Sequence, residues 1–384
     1  MIPLSDSSRR ISGTAVLLGL LGAALATLAL VDVSAGHSVA RQAGSATGSG
    51  IGSRTGSGGL TPSGPGVSSP AGLRLLTEAA AASAATSYQG LQIVAWWGPH
   101  GASTSIVQVW HERDRSILAQ VTDMGSAPSA GAPQPMSASG QDPDGILGLS
   151  RQLLVLIRAN YEVVHAGRGW ADNRQAQIVD LRRPDGSLAA RFWLDDATKL
   201  PLRRETFDSL ARMISEDAFI NLRIGGRGLR GMPAADARAW SARLDSAQIA
   251  RLRAQGWPVP MQLPGNLVLV AAHQTVTALG PVIDLDYSDG LSLVSIFLQH
   301  GQLPRALPGW QEVVLRGRAV YSTDPDWRSL AWSAHGFVYT VIAEAPAATV
   351  DQVVDALPHD AGPGFWGRIA RGMRRLASWA NPFR

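Results

Sequence analysis

The sequence predicts an α+β fold with two antiparallel domains. Segments with the patterning of strands recur along the chain and are joined by short connections such as "GPHG" and "RPDGSL", which is typical of antiparallel meanders. Stretches with helical start signals are few and lie between groups of strands. With 384 residues and 45% hydrophobic composition, the chain has enough apolar side chains for a core in each domain.

The N-terminal residues 1–35 predict a membrane anchor. Residues 11–31 carry no charge, and a helix of this length, at about 1.5 Å per residue, spans a hydrocarbon core of about 30 Å. Arg9 and Arg10 precede the segment and Asp32 follows it, which predicts a cytoplasmic N-terminus and an extracytoplasmic body in the cell membrane. Small residues ending at Ala35 and Ala40 leave open a cleaved signal peptide and a secreted or periplasmic protein.

A tether and a helix come next. Residues 36–69 are mostly Gly, Ser, Ala and Thr, which predicts a flexible linker. Ser69 followed by Pro70 is typical of a capped helix start, and the Ala- and Leu-rich run predicts a helix to Thr86 that Gly90 terminates.

The first domain is predicted over residues 70–225. A loop rich in Pro, Ser, Gly and Ala over residues 125–140 and a capped helix over 150–159 divide its strands into two groups. The expected strands are 91–97, 103–112, 115–122, 161–166, 176–182, 188–195, 201–208 and 214–224.

The second domain is predicted over residues 257–358, after an interdomain linker over 226–256 that contains a helix at 246–254. A helix over 348–357 closes this domain, and a basic tail over 359–384 follows. The expected strands are 267–277, 282–288, 291–299, 311–315, 318–322, 329–333 and 337–343.

Residues with catalytic potential do not form a recognisable constellation. The chain has no cysteine, which excludes disulfides, thiolate metal sites and a cysteine nucleophile. No Gly-x-Ser-x-Gly turn is present. In "WHERD", His111, Glu112 and Asp114 are interpreted as a solvated strand end, and the adjacent Asp195 and Asp196 as carboxylates that bind local backbone. The sequence therefore predicts no catalytic residue, metal site or cofactor, and no enzyme.

The tail predicts a membrane contact. Its five arginines account for the net charge of +4, which leaves the folded part without the basic surface of a nucleic-acid binder. Apolar and basic residues recur there at helical spacing, which is typical of an amphipathic helix in a membrane interface; a helix docked on the second domain is the alternative. The interface candidates are Trp366, Ile369, Arg371, Met373, Arg375 and Leu376.

The first predicted hairpin carries surplus aromatic surface. Trp96 and Trp97 are adjacent on a strand and so face opposite sides of the sheet, and Trp110 lies on the next strand. Two interpretations stay open: a large core, or an apolar cavity that accepts an acyl chain. Strand alternation selects Leu91, Ile93, Trp97, Val107, Val109 and Trp193 as lipid-cavity candidates.

Several segments resemble the MucB/RseB family of sigma-factor regulators. These are "SYQGLQIV", "ANYEVVHAG", "RRPDGSLAARFWLDDATKLPLRRETFD", "DLDYSDGLSLVSIFLQHG" and "GFVYTVIAEAP". Asp172-Asn173-Arg174 and the loop over residues 125–140 depart from the family pattern.

The resemblance implies a LolA-like open antiparallel β-barrel or half-barrel with packed helices, followed by a smaller antiparallel α+β domain. It also implies a non-enzymatic, membrane-anchored regulator of the actinobacterial type that binds the extracytoplasmic segment of an anti-sigma factor and a lipid. Tyr287, Asp289, Gly290 and Phe297, in and beside the Ser-Asp-Gly-Leu hairpin, are the partner-binding candidates. The alternative function is a lipid or lipoprotein carrier of the cell envelope, which would have to be released from the membrane.

Overall fold

A computed structural model describes residues 67–98, 101–112, 115–122, 135–136, 149–225, 243–277, 280–304, 307, 309–323 and 328–360. The predicted anchor, most of the tether and the basic tail lie outside these ranges. Within them, no helix has both the length and the apolar composition that a membrane span requires.

The described residues form two compact units. The first contains those up to residue 225 together with Ser288–Leu291, and the second contains residues 243–287 and those from Ser292 onwards.

The first unit is built on one antiparallel sheet of nine strands in the order β4-β3-β2-β1-β9-β8-β7-β6-β5. Its strands are β1 (Tyr88–Gly98), β2 (Gly101–Glu112), β3 (Arg115–Thr122), β4 (Pro135–Met136), β5 (Glu162–Ala171), β6 (Arg174–Arg182), β7 (Leu188–Asp195), β8 (Pro201–Phe207) and β9 (Met213–Ile224). Its helices are α1 (Pro70–Ala85) and α2 (Arg151–Asn160).

Local sequence explains where α1 begins. The Ser69 hydroxyl accepts a hydrogen bond from the Gly72 amide, and Pro70 occupies the first turn, where its missing N–H costs nothing. The prediction that Gly90 terminates this helix is wrong. The helix ends at Ala85, and Gly90 lies inside β1, where it pairs with Leu222 of β9.

The hairpin between β5 and β6 turns at Asp172 and Asn173, which have φ values of 47° and 57°. Two consecutive left-handed residues are the signature of a type I′ turn, whose twist matches that of antiparallel strands. The departure from the family pattern at this position is therefore a tight hairpin turn.

Both helices of the first unit cover one face of the sheet. Leu76 of α1 and Ile157 of α2 are fully buried against apolar residues of β5, β6 and β7. The sheet residues of this core are Val163, Val179, Leu181, Ala190, Phe192 and Leu194. Alternate residues of the same strands lie on the other face, as the two-residue period of a strand requires.

The second unit contains an antiparallel sheet of eight strands in the order β10-β11-β12-β13-β17-β16-β15-β14. The strands are β10 (Gln262–Leu263), β11 (Leu267–Thr277), β12 (Gly280–Ser288), β13 (Leu293–His300), β14 (Gln311–Leu315), β15 (Arg318–Ser322), β16 (Ser329–Ala334) and β17 (Phe337–Glu344). The helices are α3 (Ser246–Ala254) and α4 (Ala347–Ala356).

The core of the second unit draws on both of its helices. Leu252 of α3 and Val353 of α4 join the buried aromatic residues of the sheet. Trp332 stacks on Tyr339 with ring centroids 5.3 Å apart and donates its indole N–H to the Pro358 carbonyl at 2.8 Å. Helix α3, predicted as part of an interdomain linker, contributes a core residue to this unit.

Candidate functional site

The register of β1 and β2 assigns the hairpin residues to two faces of the first sheet. Tyr88 pairs with His111 at one end of the hairpin, and Trp97 pairs with Ala102 near the other.

 Every pair joins one odd-numbered and one even-numbered residue, so each odd-numbered residue of β1 lies opposite an even-numbered residue of β2. Directly paired residues of an antiparallel sheet point to the same side. Leu91, Ile93 and Trp97 therefore share one face, and Val107 and Val109 lie on the other.

These two faces have different surroundings. The helix face is the one that Tyr88, Val107, Val109 and His111 share, and α1 packs on it through Ala82. The opposite face is defined by Leu91, Ile93 and Trp97, all of which are half-buried.

Trp193 belongs to the opposite face. It pairs with Arg203, which pairs in turn with Ala218 and then Ile93 across β8, β9 and β1. The register thus divides the six lipid-cavity candidates four to two between the faces, although Trp193 packs in one buried cluster with Val107 and Val109. The sequence prediction assigned odd-numbered residues of both hairpin strands to one face, and the register of the hairpin gives them opposite orientations. Lipid binding itself stays a prediction.

His111 belongs to an aromatic cluster on the helix face that is centred on Tyr88. Its ring stacks on Tyr88 at 4.8 Å between centroids, and Phe219 meets Tyr88 edge-on at 5.8 Å. Burial lowers the pKa of His111, and a hydrogen bond to the backbone of Ser83 opposes this effect. The prediction of a solvated strand end is wrong for His111, which is fully buried. The signal in the sequence was its alternation with Val107 and Val109.

Polar side chains are also buried on the helix face. Gln92 pairs with Val107 and is 1% exposed, and Ser83 of α1 is 2% exposed. Within the described part of the chain, Gln92 Oε1 and Ser83 Oγ have no hydrogen-bond partner. Arg204 and Asp217 form an ion pair on the same face, with 2.6 Å between Nη2 and Oδ2. The helix face therefore contains buried polar groups among the apolar residues of its core.

The opposite face carries an ordered set of charges. Arg191 contacts Asp180 at 2.6 Å between Nε and Oδ1, and Arg203 contacts Glu216 at 2.9 Å between Nε and Oε1. The guanidinium of Arg203 lies 4.7 Å from the ring centroid of Trp193, a cation–π distance. Burial and the neighbouring Glu216 raise the pKa of Glu205, and Arg203 opposes this effect. The face therefore combines half-buried apolar residues with guanidinium groups held in place by carboxylates.

The Asp195 carboxylate binds local backbone, as predicted, whereas the Asp196 carboxylate accepts a hydrogen bond from the Gln177 side chain. Asp195 Oδ2 accepts hydrogen bonds from the amide and the hydroxyl of Thr198. A hydrogen bond from Gln177 lowers the pKa of Asp196. Both acids belong to the turn between β7 and β8, where such contacts fix the chain direction.

All four partner-binding candidates have contacts within the chain. Tyr287 is fully buried and donates its hydroxyl to the Pro260 carbonyl at 2.7 Å. Asp289 Oδ2 accepts a hydrogen bond from the Tyr161 hydroxyl at 2.7 Å. Gly290 has a φ of 104°, and Phe297 is half-buried. Their role in partner binding stays a prediction. The six membrane-interface candidates of the tail lie outside the described residues.

An antiparallel half-barrel sheet with helices on one face, followed by a second antiparallel sheet, agrees with the predicted fold class. Residues 131–248 match the family model described as the MucB/RseB N-terminal domain. This match covers less than a third of the chain and supports the family predicted from the sequence.

Solved structures similar to this chain include a crystal structure of MucB, with 20% identity, a TM-score of 0.48 and coverage of 77% of this chain and 100% of that one. The complex of Pseudomonas aeruginosa MucA and MucB has 19% identity, a TM-score of 0.45 and coverage of 76% and 100%. A LolA superfamily protein from Nitrosomonas europaea has 10% identity, a TM-score of 0.17 and coverage of 71% and 91%. No curated protein sequence matches the chain.

Proposed function

We propose that the protein is a non-enzymatic, extracytoplasmic regulator of a sigma-factor system that binds the outer segment of an anti-sigma factor. The observation that carries this proposal is the family match over residues 131–248, which spans α2 and strands β5 to β9. In the MucB/RseB family, as the sequence resemblance implies, this domain acts by binding and not by catalysis. The predicted N-terminal anchor would keep the protein close to a membrane partner and raise its effective concentration there.

The opposite face of the first sheet is the surface proposed for the anti-sigma segment. Its half-buried apolar residues offer contact area, and the side chains of Arg191 and Arg203 are 34% and 33% exposed. Because Asp180 and Glu216 hold these guanidinium groups in place, the two arginine side chains would lose little conformational freedom on binding. A partner segment with apolar residues and hydrogen-bond acceptors for the two guanidinium groups fits this surface.

The first experiment tests the partner with the full-length protein. A pull-down followed by identification of both proteins and extracted lipids should recover an anti-sigma factor. Recovery of lipid without any anti-sigma factor would contradict the proposal.

The second experiment tests the surface with two adjacent tryptophans. Trp97 lies on the opposite face and Trp96 on the helix face, and both are half-buried. Trp97→Ala should weaken binding of the recovered partner at least about tenfold, as truncation of an aromatic anchor commonly does. The same change at Trp96 removes a similar area from the other side and should mainly lower stability. Equal losses of partner binding in the two variants would exclude the opposite face as the binding surface.

A lipid ligand on the helix face is a second candidate, favoured by the buried acceptors Gln92 Oε1 and Ser83 Oγ beside an aromatic cluster. Val107 and Val109 are 1% exposed, so an amphipathic molecule would have to enter between α1 and the sheet and place a hydroxyl or amide donor on these oxygens. Lipids extracted from the purified protein and identified by mass spectrometry test this candidate, with Gln92→Leu as the variant that removes an acceptor. Lipid retention equal to that of the unchanged protein would argue against it.

Whether the N-terminal segment is retained or cleaved distinguishes the regulator from the alternative carrier function. A carrier must leave the membrane, whereas the proposed regulator keeps its anchor in the cell membrane. Sequencing the mature N-terminus distinguishes the two, because a start at Gly36 or Arg41 would favour the carrier.

A further inference from the structure

Three side chains of the second unit that bind metals in other proteins lie on one face of its sheet. His273 is on β11, and Asp284 and Asp286 are on the neighbouring strand β12. Ala272, Ile283 and Leu285 belong to the core, so the residues that alternate with them point to the other side. Asp284 and Asp286 are two residues apart and therefore share that side with His273.

The three groups are close together and shielded from solvent. One potential ligand atom from each residue lies within 4.8 Å of the other two. The imidazole Nδ1 of His273 is 4.0 Å from Asp286 Oδ2, and their side chains are 6% and 18% exposed. Asp284 is 7% exposed. Two carboxylates that are shielded from solvent repel each other strongly. A divalent cation between them would lower this electrostatic cost.

We propose that His273, Asp284 and Asp286 form a binding site for a divalent transition-metal ion such as Zn²⁺. Imidazole nitrogen and carboxylate oxygen are both zinc ligands, with metal–ligand distances of about 2.0–2.2 Å. Tetrahedral geometry at these distances separates neighbouring ligand atoms by about 3.4 Å. The 4.0 Å separation of His273 and Asp286 is about 0.6 Å longer, a difference that side-chain rotation on metal binding would have to close.

Two further features fit a metal site of this kind. Ser295 on β13 donates its hydroxyl to Asp286 Oδ1 at 2.5 Å, which fixes the carboxylate plane. Asp286 is the most exposed of the three residues, so water reaches the fourth position of the ion from its side.

The competing interpretation is a metal-free cluster of polar contacts. Asp284 and Asp286 take part in further contacts within the chain. Arg243, whose backbone bridges to His273, donates its guanidinium to the Val270 carbonyl. The two interpretations differ in whether the chain binds one equivalent of metal through these residues, which a titration measures.

The test uses the full-length protein without a polyhistidine tag, freed of metal with a chelator. Zn²⁺ is titrated against a chromophoric competitor, and Co²⁺ binding is followed by its visible absorption. We expect one ion per chain and slower hydrogen exchange in peptides from β11 and β12 when Zn²⁺ is present. His273→Gln and Asp284→Asn should each weaken Zn²⁺ binding more than about tenfold, and Ser295→Ala about tenfold, as loss of an orienting partner does.

His335→Gln is the matched control. His335 also lies 4.0 Å from one carboxylate, that of Asp360, but it is exposed and has no second acid in such a cluster among the described residues. The control should bind Zn²⁺ like the unchanged protein. The proposal is overturned if His273→Gln and His335→Gln lose the same affinity, if no stoichiometric Zn²⁺ binds, or if Zn²⁺ leaves exchange in β11 and β12 unchanged. Ser295→Ala keeps all three ligands and guards against a variant that fails to fold.

Discussion

At the scale of single residues, Gly90 occupies a strand position that has no room for a side chain. An added Cβ there would lie 2.5 Å from the Asn221 carbonyl oxygen and 3.1 Å from Cδ1 of Phe219. The register between β1 and β9 shifts between Leu91 and Gln92, and the two backbones approach each other closely beside this irregularity. The glycine is required by this approach and not by its own dihedral angles.

We therefore expect Gly90→Ala to destabilise the first unit by about 1–3 kcal/mol, the usual cost of overpacking. Hydrogen exchange of peptides from β1 and β9 in the full-length protein measures this loss. Gly101→Ala is the control, because a Cβ at Gly101 meets no atom within 4 Å. Equal exchange in the two variants would show that the close approach at Gly90 has no energetic consequence.

His111 makes the stability of the first unit depend on pH. Its pKa in the folded protein is lowered by burial, whereas an exposed histidine has a pKa of about 6.5. As the pH falls below about 6.5, the unfolded chain binds a proton that the folded chain does not, so stability decreases by up to about 1.4 kcal/mol per pH unit. The decrease ends at the pKa of the folded state. The contribution of neutral His111 to stability is therefore fully present above about pH 6.5.

The measurement compares hydrogen exchange of β2 peptides between pH 8 and pH 5.5, corrected for the intrinsic exchange rate. His111→Gln has no ionisable group at this position and should lose less stability on acidification than the unchanged protein. Burial also lowers the pKa of His359, but this group is present in both proteins and cancels in the comparison. An identical pH dependence in both would contradict the assignment to His111.

At the scale of elements, a single carboxylate ties one hairpin to a distant strand. Asp172 lies in the turn between β5 and β6, and its Oδ2 accepts a hydrogen bond from the backbone N–H of Leu222 in β9 at 2.9 Å. Hydrogen bonds to a charged group contribute about 1.5–3 kcal/mol. Asp172→Gly removes this acceptor while relieving the left-handed backbone, so the hydrogen bond is the main loss.

We expect Asp172→Gly to speed exchange of the Leu222 amide about tenfold or more, which corresponds to about 1.4 kcal/mol. Asn173→Gly changes the neighbouring turn residue, which also has a positive φ, and should leave this amide protected. If both substitutions speed the exchange equally, the turn itself, and not the hydrogen bond, holds β9.

The elements themselves follow closely from local sequence signals. Strands β7, β11, β14 and β15 and helix α3 have the predicted limits because turn residues or caps bound them on both sides. Strand β5 runs five residues beyond its predicted end, through Gly167 and Gly169, because a bulge after His165 lets pairing with β6 continue. The two-residue strands β4 and β10 were missed, since their pairing depends on a neighbouring strand and not on their own pattern.

The faces of these elements were harder to predict than their limits. Alternation identifies which residues of one strand share a side, but the relation between two strands depends on the turn that joins them. This is why the lipid-cavity candidates from β1 and β2 were combined across two faces. The cluster of His273, Asp284 and Asp286 was missed for a related reason, since its residues are 11 and 2 positions apart and meet only through strand pairing.

At the scale of the whole molecule, each unit has a core of its own. Leu181 is fully buried in the core beneath α1 and α2, and Leu285 is fully buried in the core that includes α3 and α4. Because hydrophobic stabilisation arises from apolar contacts within a core, a cavity in one core should first weaken the unit that contains it.

Leu181→Ala and Leu285→Ala provide a matched pair for this expectation, since both remove the same atoms from fully buried positions. Each should cost about 2–5 kcal/mol, which speeds exchange of core amides about 30-fold or more. The increase should be confined to β5–β7 peptides for Leu181→Ala and to β11–β13 peptides for Leu285→Ala. If either substitution speeds exchange equally in both sets, the two cores unfold in one cooperative step, and a partner or metal bound to one unit would then stabilise both.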